Sequence, residues 1–422
     1  MVKLLIIADD FTGALDTGVQ FASRGAVTSV VTDPAYDFSK AAPDVQVLVL
    51  DVETRHLPGK EAYALVYRAV KDALAAGFTN IYKKTDSGLR GNIGAELAAA
   101  LDASGEERLY FVPAFPKIKR ITRGGIHYID GVPVAESVFG KDPFEPVRFS
   151  DLPSVIGDQA RTPVTVHGLT RSTQALDAVG IHVFDAETDE HMQQIAQELG
   201  TERLLLSAGC AGFSTALAEA LGLTSEQPPL PQVPSSVVAV CGSVNPVTLE
   251  QLQRGEAAGF PHIRLEPAQK LESAWLETDA CKEAVREWVR LVEKEHRLIL
   301  DANDAGGNGI TQAYGEAHGM ALSQMRVQIA DTLGALTRKL LDAGLEATFL
   351  CTGGDTLLAT MERLGVSELA PVREVFTGVV LNRFVYGGRT CYLVSKSGGF
   401  GTPHVLTDLA ELVGSGEEEQ PC

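Results

Sequence analysis

Cysteine is scarce in this chain, with 6 in 422 residues, and none of the six forms a CxxC pair or stands beside histidine at zinc spacing. That excludes a cysteine-built structural metal and a disulfide scaffold, and no metal ligand is assigned. Cys241, Cys351 and Cys391 lie in apolar runs and read as buried small hydrophobes. Positive charge is also in deficit: 36 Lys and Arg against 55 Asp and Glu leave a net charge of −19. Such a field repels phosphate backbones and anionic lipid, so neither nucleic acid nor a membrane is an expected partner. No apolar run approaches the ~18 residues that span a bilayer. The start, MVKLLIIADD, reaches two aspartates too soon for a signal peptide. The expected compartment is the cytoplasm.

What remains is an ordinary globular composition, 45% apolar and 22% charged, in a chain long enough for two or three domains. Short apolar runs alternate with helix-period stretches: Val2–Ala8, Thr12–Ser23, Val27–Val31, Val45–Leu50, Pro58–Ala75, Asn80–Lys83, Ile93–Leu101 and Leu109–Val112. Alternation of this kind predicts βαβ units and a parallel sheet covered on both faces. After Pro116 the rhythm changes, and Asp130-Gly131 between alternating segments predicts a hairpin excursion. The segment TSEQPPLPQVPSS holds four prolines and reads as a linker. The expected fold is therefore α/β in two domains, each a largely parallel sheet flanked by helices: residues 1–225, a Pro-rich linker over 226–236, and 237–422. A single long helix is expected across Gln312–Leu341, a turn at Gly387-Gly388, and a solvated tail at GSGEEEQPC.

Ligands of such sheets sit beyond the carboxyl ends of the strands, where loops meet helix N-termini. In LLIIADDFTG, Asp9 and Asp10 end a strand, and two adjacent carboxylates exceed what a helix cap needs. They could hold sugar hydroxyls, take a proton or ligate Mg²⁺. In YKKTDSGLRGNIGAE, Lys83, Lys84 and Arg90 concentrate positive charge in an acidic protein, with Asp86, Ser87 and Asn92 able to read hydroxyls. The planar fork of Arg90 suits a carboxylate. Lys117, Lys119, Arg120 and Arg123 follow the next strand, and about half of them are expected to be merely solvated. Beyond residue 236, CGSVNPVT, CTGGDTLLAT and VSKSGGFGTPH place glycines at strand ends, where backbone N–H groups can approach a phosphate. No Walker A frame is present, and a nicotinamide-binding alternative rests only on GGNG at Gly306–Gly309, without GxGxxG.

Taken together, IADDFTGALDTG, KTDSGLRGNIGAE, PAFPKIKRITRGGIHYIDGVPVAES, GSVNPVT, TGGDT and KSGGFG resemble the four-carbon acid sugar kinase family in order and over nearly the whole chain. The resemblance implies an acid-sugar domain followed by an ATP domain, with phosphorylation of the terminal hydroxyl of a tetronate, D-threonate first among candidates and 3-oxo-tetronate or D-erythronate as alternatives. It implies Asp9, Asp10, Asp86 and Arg90 on the sugar side, where Asn92 and Arg120 are added from their own chemistry. On the ATP side it implies Ser243, Gly353, Gly354, Asp355, Thr356 and Gly398, with Gly399 beside them where many relatives carry Asn. The small-molecule partners are then the acid sugar and ATP with Mg²⁺. Asp10, or Asp9, would take the hydroxyl proton, with Asp355 as the rival base beside the γ-phosphate.

Overall fold

A computed structural model describes residues 4–142, 145–170, 176–307 and 309–414, which fall into two compact units, 1–228 and 229–422. In the first unit the apolar runs form strands β1 (Leu4–Ala8), β2 (Thr28–Val31), β3 (Val47–Asp51), β4 (Asn80–Lys84) and β5 (Arg108–Val112). Three short strands follow, β6 (Arg120–Arg123), β7 (Ile126–Ile129) and β8 (Val132–Pro133), and then β9 (Val164–His167), β10 (Gly180–Phe184) and β11 (Leu206–Gly209). The helices between them are α1 (Phe11–Ala22), α2 (Gly59–Ala75), α3 (Ile93–Ser104), α4 (Leu152–Gly157), α5 (Asp189–Arg203) and α6 (Ala211–Ala220).

The main sheet runs β2-β3-β1-β4-β11-β5-β10-β9, parallel throughout. Helices cover both faces, which is why β1, β3 and β4 are buried along their whole length. From β1 the chain first fills one side of the sheet, with β2 and β3, and then crosses back to β4 on the other. That reversal makes the carboxyl ends of β1, β3 and β4 the topological switch point, the crevice where open α/β sheets hold ligands. The excursion after β5 is an antiparallel sheet, β6-β7-β8, whose last turn is Asp130-Gly131 with φ of +49° and +82°. Positive φ at both positions is the I′ geometry that the Asp-Gly pair predicts.

The second unit contains β12 (Val237–Cys241), β13 (His262–Arg264), β14 (Arg297–Asp301), β15 (Thr348–Thr352), β16 (Glu368–Phe376), β17 (Val379–Tyr386) and β18 (Arg389–Lys396). Its helices are α7 (Pro246–Ala257), α8 (Pro267–Leu271), α9 (Asp279–Glu295), α10 (Gly309–Ala317), α11 (Leu322–Asp342), α12 (Gly354–Leu364) and α13 (Val405–Gly414). Strands β13-β14-β12-β15-β18 pair in parallel, and β17 and β16 extend that sheet as an antiparallel meander turning at Gly387-Gly388. Both units are thus largely parallel sheets flanked by helices, as expected.

Three local expectations fail. The helix foreseen across Gln312–Leu341 is two helices, α10 and α11, because Gly319 takes φ of +74° between them, a conformation no helix interior holds. The run Arg203–Ser207 reads as a strand in sequence, yet Arg203 closes α5 and β11 begins only at Leu206. Cys391 is half-exposed rather than buried, while Cys241 and Cys351 lie in the core. The glutamate-rich tail, Cys422 and Asn308 of the GGNG run lie outside the described residues. Among the described residues no helix is long and apolar enough to cross a membrane.

Candidate active site

In the first unit the switch-point crevice is organised by a residue that the motif reading passed over. Arg55 follows β3 in the run Val52–Arg55, and its guanidinium is buried. Nε donates to Asp9 Oδ2 at 2.8 Å, Nη2 donates to Asp10 Oδ1 at 2.5 Å, and Nη2 lies 3.8 Å from Asp86 Oδ1. One guanidinium from β3 therefore ties together the carboxylates that β1 and β4 deliver. Lys84 adds a second cation, with Nζ 3.7 Å from Asp9 and 4.0 Å from Asp10. Lys83, its neighbour along the strand, points to the opposite face and is spent on Glu96 of α3 at 2.7 Å.

The electrostatics follow from that packing. Burial opposes ionisation of Asp9, but Arg55, Lys84 and Lys83 outweigh it and hold the carboxyl down at about 2. Burial works against Asp86 as well, and Arg90, Arg55 and Arg120 keep it well below the usual carboxylate range. Asp10 is the more accessible of the adjacent pair, with 17% of its side chain exposed against 3% for Asp9. It occupies the N-cap position of α1, yet its carboxylate does not cap the helix. Glu53 accepts from the Phe11 amide at 2.9 Å instead, leaving Asp10 to Arg55 and to the Thr12 hydroxyl, which donates at 2.7 Å. Gly13 leaves room for this arrangement, because a Cβ would stand 2.4 Å from both Asp10 Oδ1 and Lys84 Nζ and one of them would have to shift.

On the β4 side, Arg90 holds Asp86 through two bonds, Nε to Oδ2 at 2.8 Å and Nη2 to Oδ1 at 3.1 Å, and Nη1 lies 3.5 Å from Asp142. Arg120, reaching in from β6, donates through Nη1 to the Ser87 hydroxyl. Asp9, Asp10, Asp86, Arg90 and Arg120 are thus brought together. Asn92 is placed beside them, but its amide donates to the carbonyls of Thr54 and Leu57, at 2.8 Å each, and so pins the loop that carries Arg55. Lys117 and Lys119 are exposed, and Arg123 pairs with Glu187 on the surface.

In the second unit, β12, β15 and β18 are adjacent and parallel, so the three glycine loops leave the sheet side by side. Glycines of one loop pack on hydroxyl side chains of another. A Cβ on Gly398 would lie 2.6 Å from Ser243 Oγ, and one on Gly242 would lie 2.2 Å from Thr356 Oγ1. Gly353 takes φ of +96° just before α12, which Gly354, Asp355 and Thr356 begin. Lys396, at the end of β18 and buried, donates to Thr248 Oγ1 and to the carbonyls of Ser397, Gly398 and Phe400 at 3.1–3.3 Å. Gln251 of α7 donates to Phe400 and Thr402 carbonyls, so the last loop is stapled to α7. Gly399 stays open, with only Asn245 Nδ2 within reach of a Cβ, at 3.7 Å. Asp355 is half-exposed and bound by the Arg326 fork.

The sugar-binding N-terminal domain family matches residues 4–217, and the nucleotide-binding C-terminal domain family matches residues 238–406. A D-threonate kinase of Salmonella typhimurium is 29% identical over all of both chains, and one of Bordetella bronchiseptica is 30% identical over 97% of this chain and 96% of its own. The chain belongs to the four-carbon acid sugar kinase family. A solved Salmonella typhimurium structure, 23% identical and covering 97% of this chain and 99% of its own, superposes with a TM-score of 0.82 and shares the fold. The enzyme is a kinase, and with that the nicotinamide alternative falls. Arg55 was missed because a lone arginine four residues past a strand carries no glycine or paired-charge signal. Its one cue is position, at the carboxyl end of the strand next to β1.

Proposed function

We propose that this kinase transfers the γ-phosphoryl group of ATP to O4 of a tetronate, with D-threonate as the substrate. The observation that carries the reading is the array at the carboxyl ends of β1, β3 and β4, where Arg55, Lys84, Arg90 and Arg120 converge on Asp9, Asp10 and Asp86. An anionic sugar acid needs cations for its carboxylate and carboxylates for its hydroxyls, and this array offers both. Arg90 and Arg120 would take the substrate carboxylate, Asp9 and Asp86 its hydroxyls. Asp10 is the better placed base of the adjacent pair, since it is the more accessible carboxylate while Asp9 is buried against Arg55 and Lys84. In the transfer the hydroxyl oxygen forms the new bond to phosphorus, its proton passes to Asp10, and ADP leaves.

The glycine loops of the second unit fit a triphosphate, because they leave strand ends side by side, glycine lets a phosphate approach backbone N–H groups, and two of the loops open helices. Ser243, Gly353, Gly354, Thr356 and Gly398 would line it, with Gly399 at the open rim. When bound, ATP supplies the phosphoryl group and Mg²⁺ on its phosphates offsets their charge. Mg²⁺ would come to the site on the nucleotide's own phosphates.

The choice of D-threonate follows the two relatives above; others, 28% and 27% identical, are named 3-oxo-tetronate kinase and D-erythronate kinase. A panel of D-threonate, D-erythronate and 3-oxo-tetronate with ATP and Mg²⁺, followed by ADP release and by phosphorus NMR of the product, tests the reading. The expected result is the highest kcat/KM on D-threonate with phosphate on O4. ADP release at background for every tetronate would end it.

A further inference from the structure

Between β8 and α4 the chain passes through Val134–Asp142, and Phe139 from this segment stands against both cationic side chains of the β4 side. The guanidinium carbon of Arg90 lies 5.1 Å from the centre of the Phe139 ring, and that of Arg120 lies 4.9 Å from it. Both distances fall within the range at which a ring face attracts a cation. The ring is locked in place. It packs directly on Gly88, where a Cβ would be 2.7 Å from two of its atoms, and its carbonyl accepts from the Val147 amide at 3.0 Å. The two arginines arise from different elements, one from the loop after β4 and the other from β6, and they share this platform.

Two guanidiniums side by side repel each other, and their polar anchors are unequal: Asp86 and, at 3.5 Å, Asp142 for Arg90, but the Ser87 hydroxyl for Arg120. The aromatic face supplies a common attraction that costs no charge, so it holds both cations without neutralising them. We propose that Phe139 is a specificity-determining positioning residue: it keeps Arg90 and Arg120 convergent and charged, so that the site selects a sugar acid over the neutral polyol of the same stereochemistry. This rests on the assignment of Arg90 and Arg120 to the substrate carboxylate. It also gives the glycine of TDSGLR a reason, since any side chain at Gly88 would evict the ring.

The test compares Phe139→Leu and Phe139→Tyr with the wild type on D-threonate and on D-threitol, which lacks the carboxylate, with calorimetric binding of D-threonate measured alongside turnover. Phe139→Leu is expected to raise the KM and Kd for D-threonate by about tenfold, with the KM for ATP and the weak turnover of D-threitol within twofold, while Phe139→Tyr stays near wild type. A D-threonate KM and Kd unchanged in Phe139→Leu, or losses equal for D-threonate, D-threitol and ATP, overturns the proposal. If Phe139→Leu does not fold, 3,5-difluorophenylalanine at position 139 keeps the shape and drains the ring face; an unchanged Kd then overturns it. A wild type that binds D-threonate without phosphorylating it ends the kinase substrate reading alone, and Phe139 is judged by the Kd ratio. No binding ends both.

Discussion

Arg55 and Asp10 meet at 2.5 Å while the same guanidinium holds Asp9 at 2.8 Å, so a single buried cation sets the spacing of the two carboxylates at the end of β1. Removing it leaves two partly or wholly buried carboxylates facing each other, with Lys84 at 3.7–4.0 Å and the more distant Lys83 to offset them. Arg55→Met should therefore cost about 3–5 kcal/mol of stability and at least a hundredfold in kcat/KM for the tetronate. Arg55→Lys restores the charge without the fork and should recover stability before activity. Urea unfolding and steady-state kinetics on the same preparations separate the two effects, and an Arg55→Met enzyme of normal activity removes Arg55 from the site.

Asp10 and Asp9 are adjacent in sequence, but Asp10 is the more accessible of the two. Asp10→Asn should lower kcat by about 10²–10⁴ with the tetronate KM within a fewfold, the signature of a lost general base. Asp355→Asn, at a carboxylate bound by Arg326, should act mainly on the ATP side. If Asp355→Asn abolishes kcat and Asp10→Asn does not, the base lies in the second unit.

His127 is fully buried, with Nε2 3.0 Å from the Ser87 carbonyl and Nδ1 3.1 Å from Thr122 Oγ1. A carbonyl can only accept, so Nε2 carries the proton and Nδ1 receives the threonine hydroxyl. Burial pushes the ring down to about 4. The unfolded chain binds this proton near 6.5 and the folded chain does not, so stability falls as the pH drops from 6.5 toward 4, by about 3 kcal/mol at the limit. His127→Gln should flatten that slope in urea unfolding measured between pH 7 and 4. An equal slope in wild type and variant would place the acid sensitivity elsewhere.

Much of this architecture is legible in the residues because alternating apolar runs and amphipathic helices force parallel strands, and parallel strands put their polar residues at one end. Asp9, Asp10, Asp86 and Arg90 stand out for that reason. What the sequence hides is the partner chosen across strands. Lys83 and Lys84 look like one cluster in sequence, yet strand alternation sends the first to Glu96 and the second toward Asp9. Gly124-Gly125 follows the run of cations from Lys117 to Arg123. It is a hairpin turn, with φ of +59° and +73°, between β7 and β6, the strand whose first residue, Arg120, bonds Ser87. Arg55 and Phe139 carry no local signal, because their roles exist only once β3 lies beside β1 and the excursion folds back over the β4 loop.

Lys396 shows the same hidden economy in the second unit. Its ammonium is buried at the end of β18 and satisfied by Thr248 and three carbonyls of the glycine loop rather than by a carboxylate. Burial lowers it to about 8, with the nearby Cys241 acting weakly in the other direction. Between pH 8 and about 10.5 the unfolded chain retains a proton that the folded chain has released, so this group's contribution to stability rises with pH across that window. An anion in the loop favours the charged form, so nucleotide binding above pH 8 should take up a proton, seen by calorimetry in buffers of different ionisation enthalpy. Lys396→Met removes the ammonium that joins the Ser397, Gly398 and Phe400 carbonyls, leaving Gly398 to Thr248 and Phe400 to Gln251, and so loosens the loop. The KM for ATP should rise at least tenfold while the Kd for the tetronate, held in the first unit, stays within twofold. Equal losses on both ligands would show that Lys396 supports the fold as a whole and not the nucleotide loop.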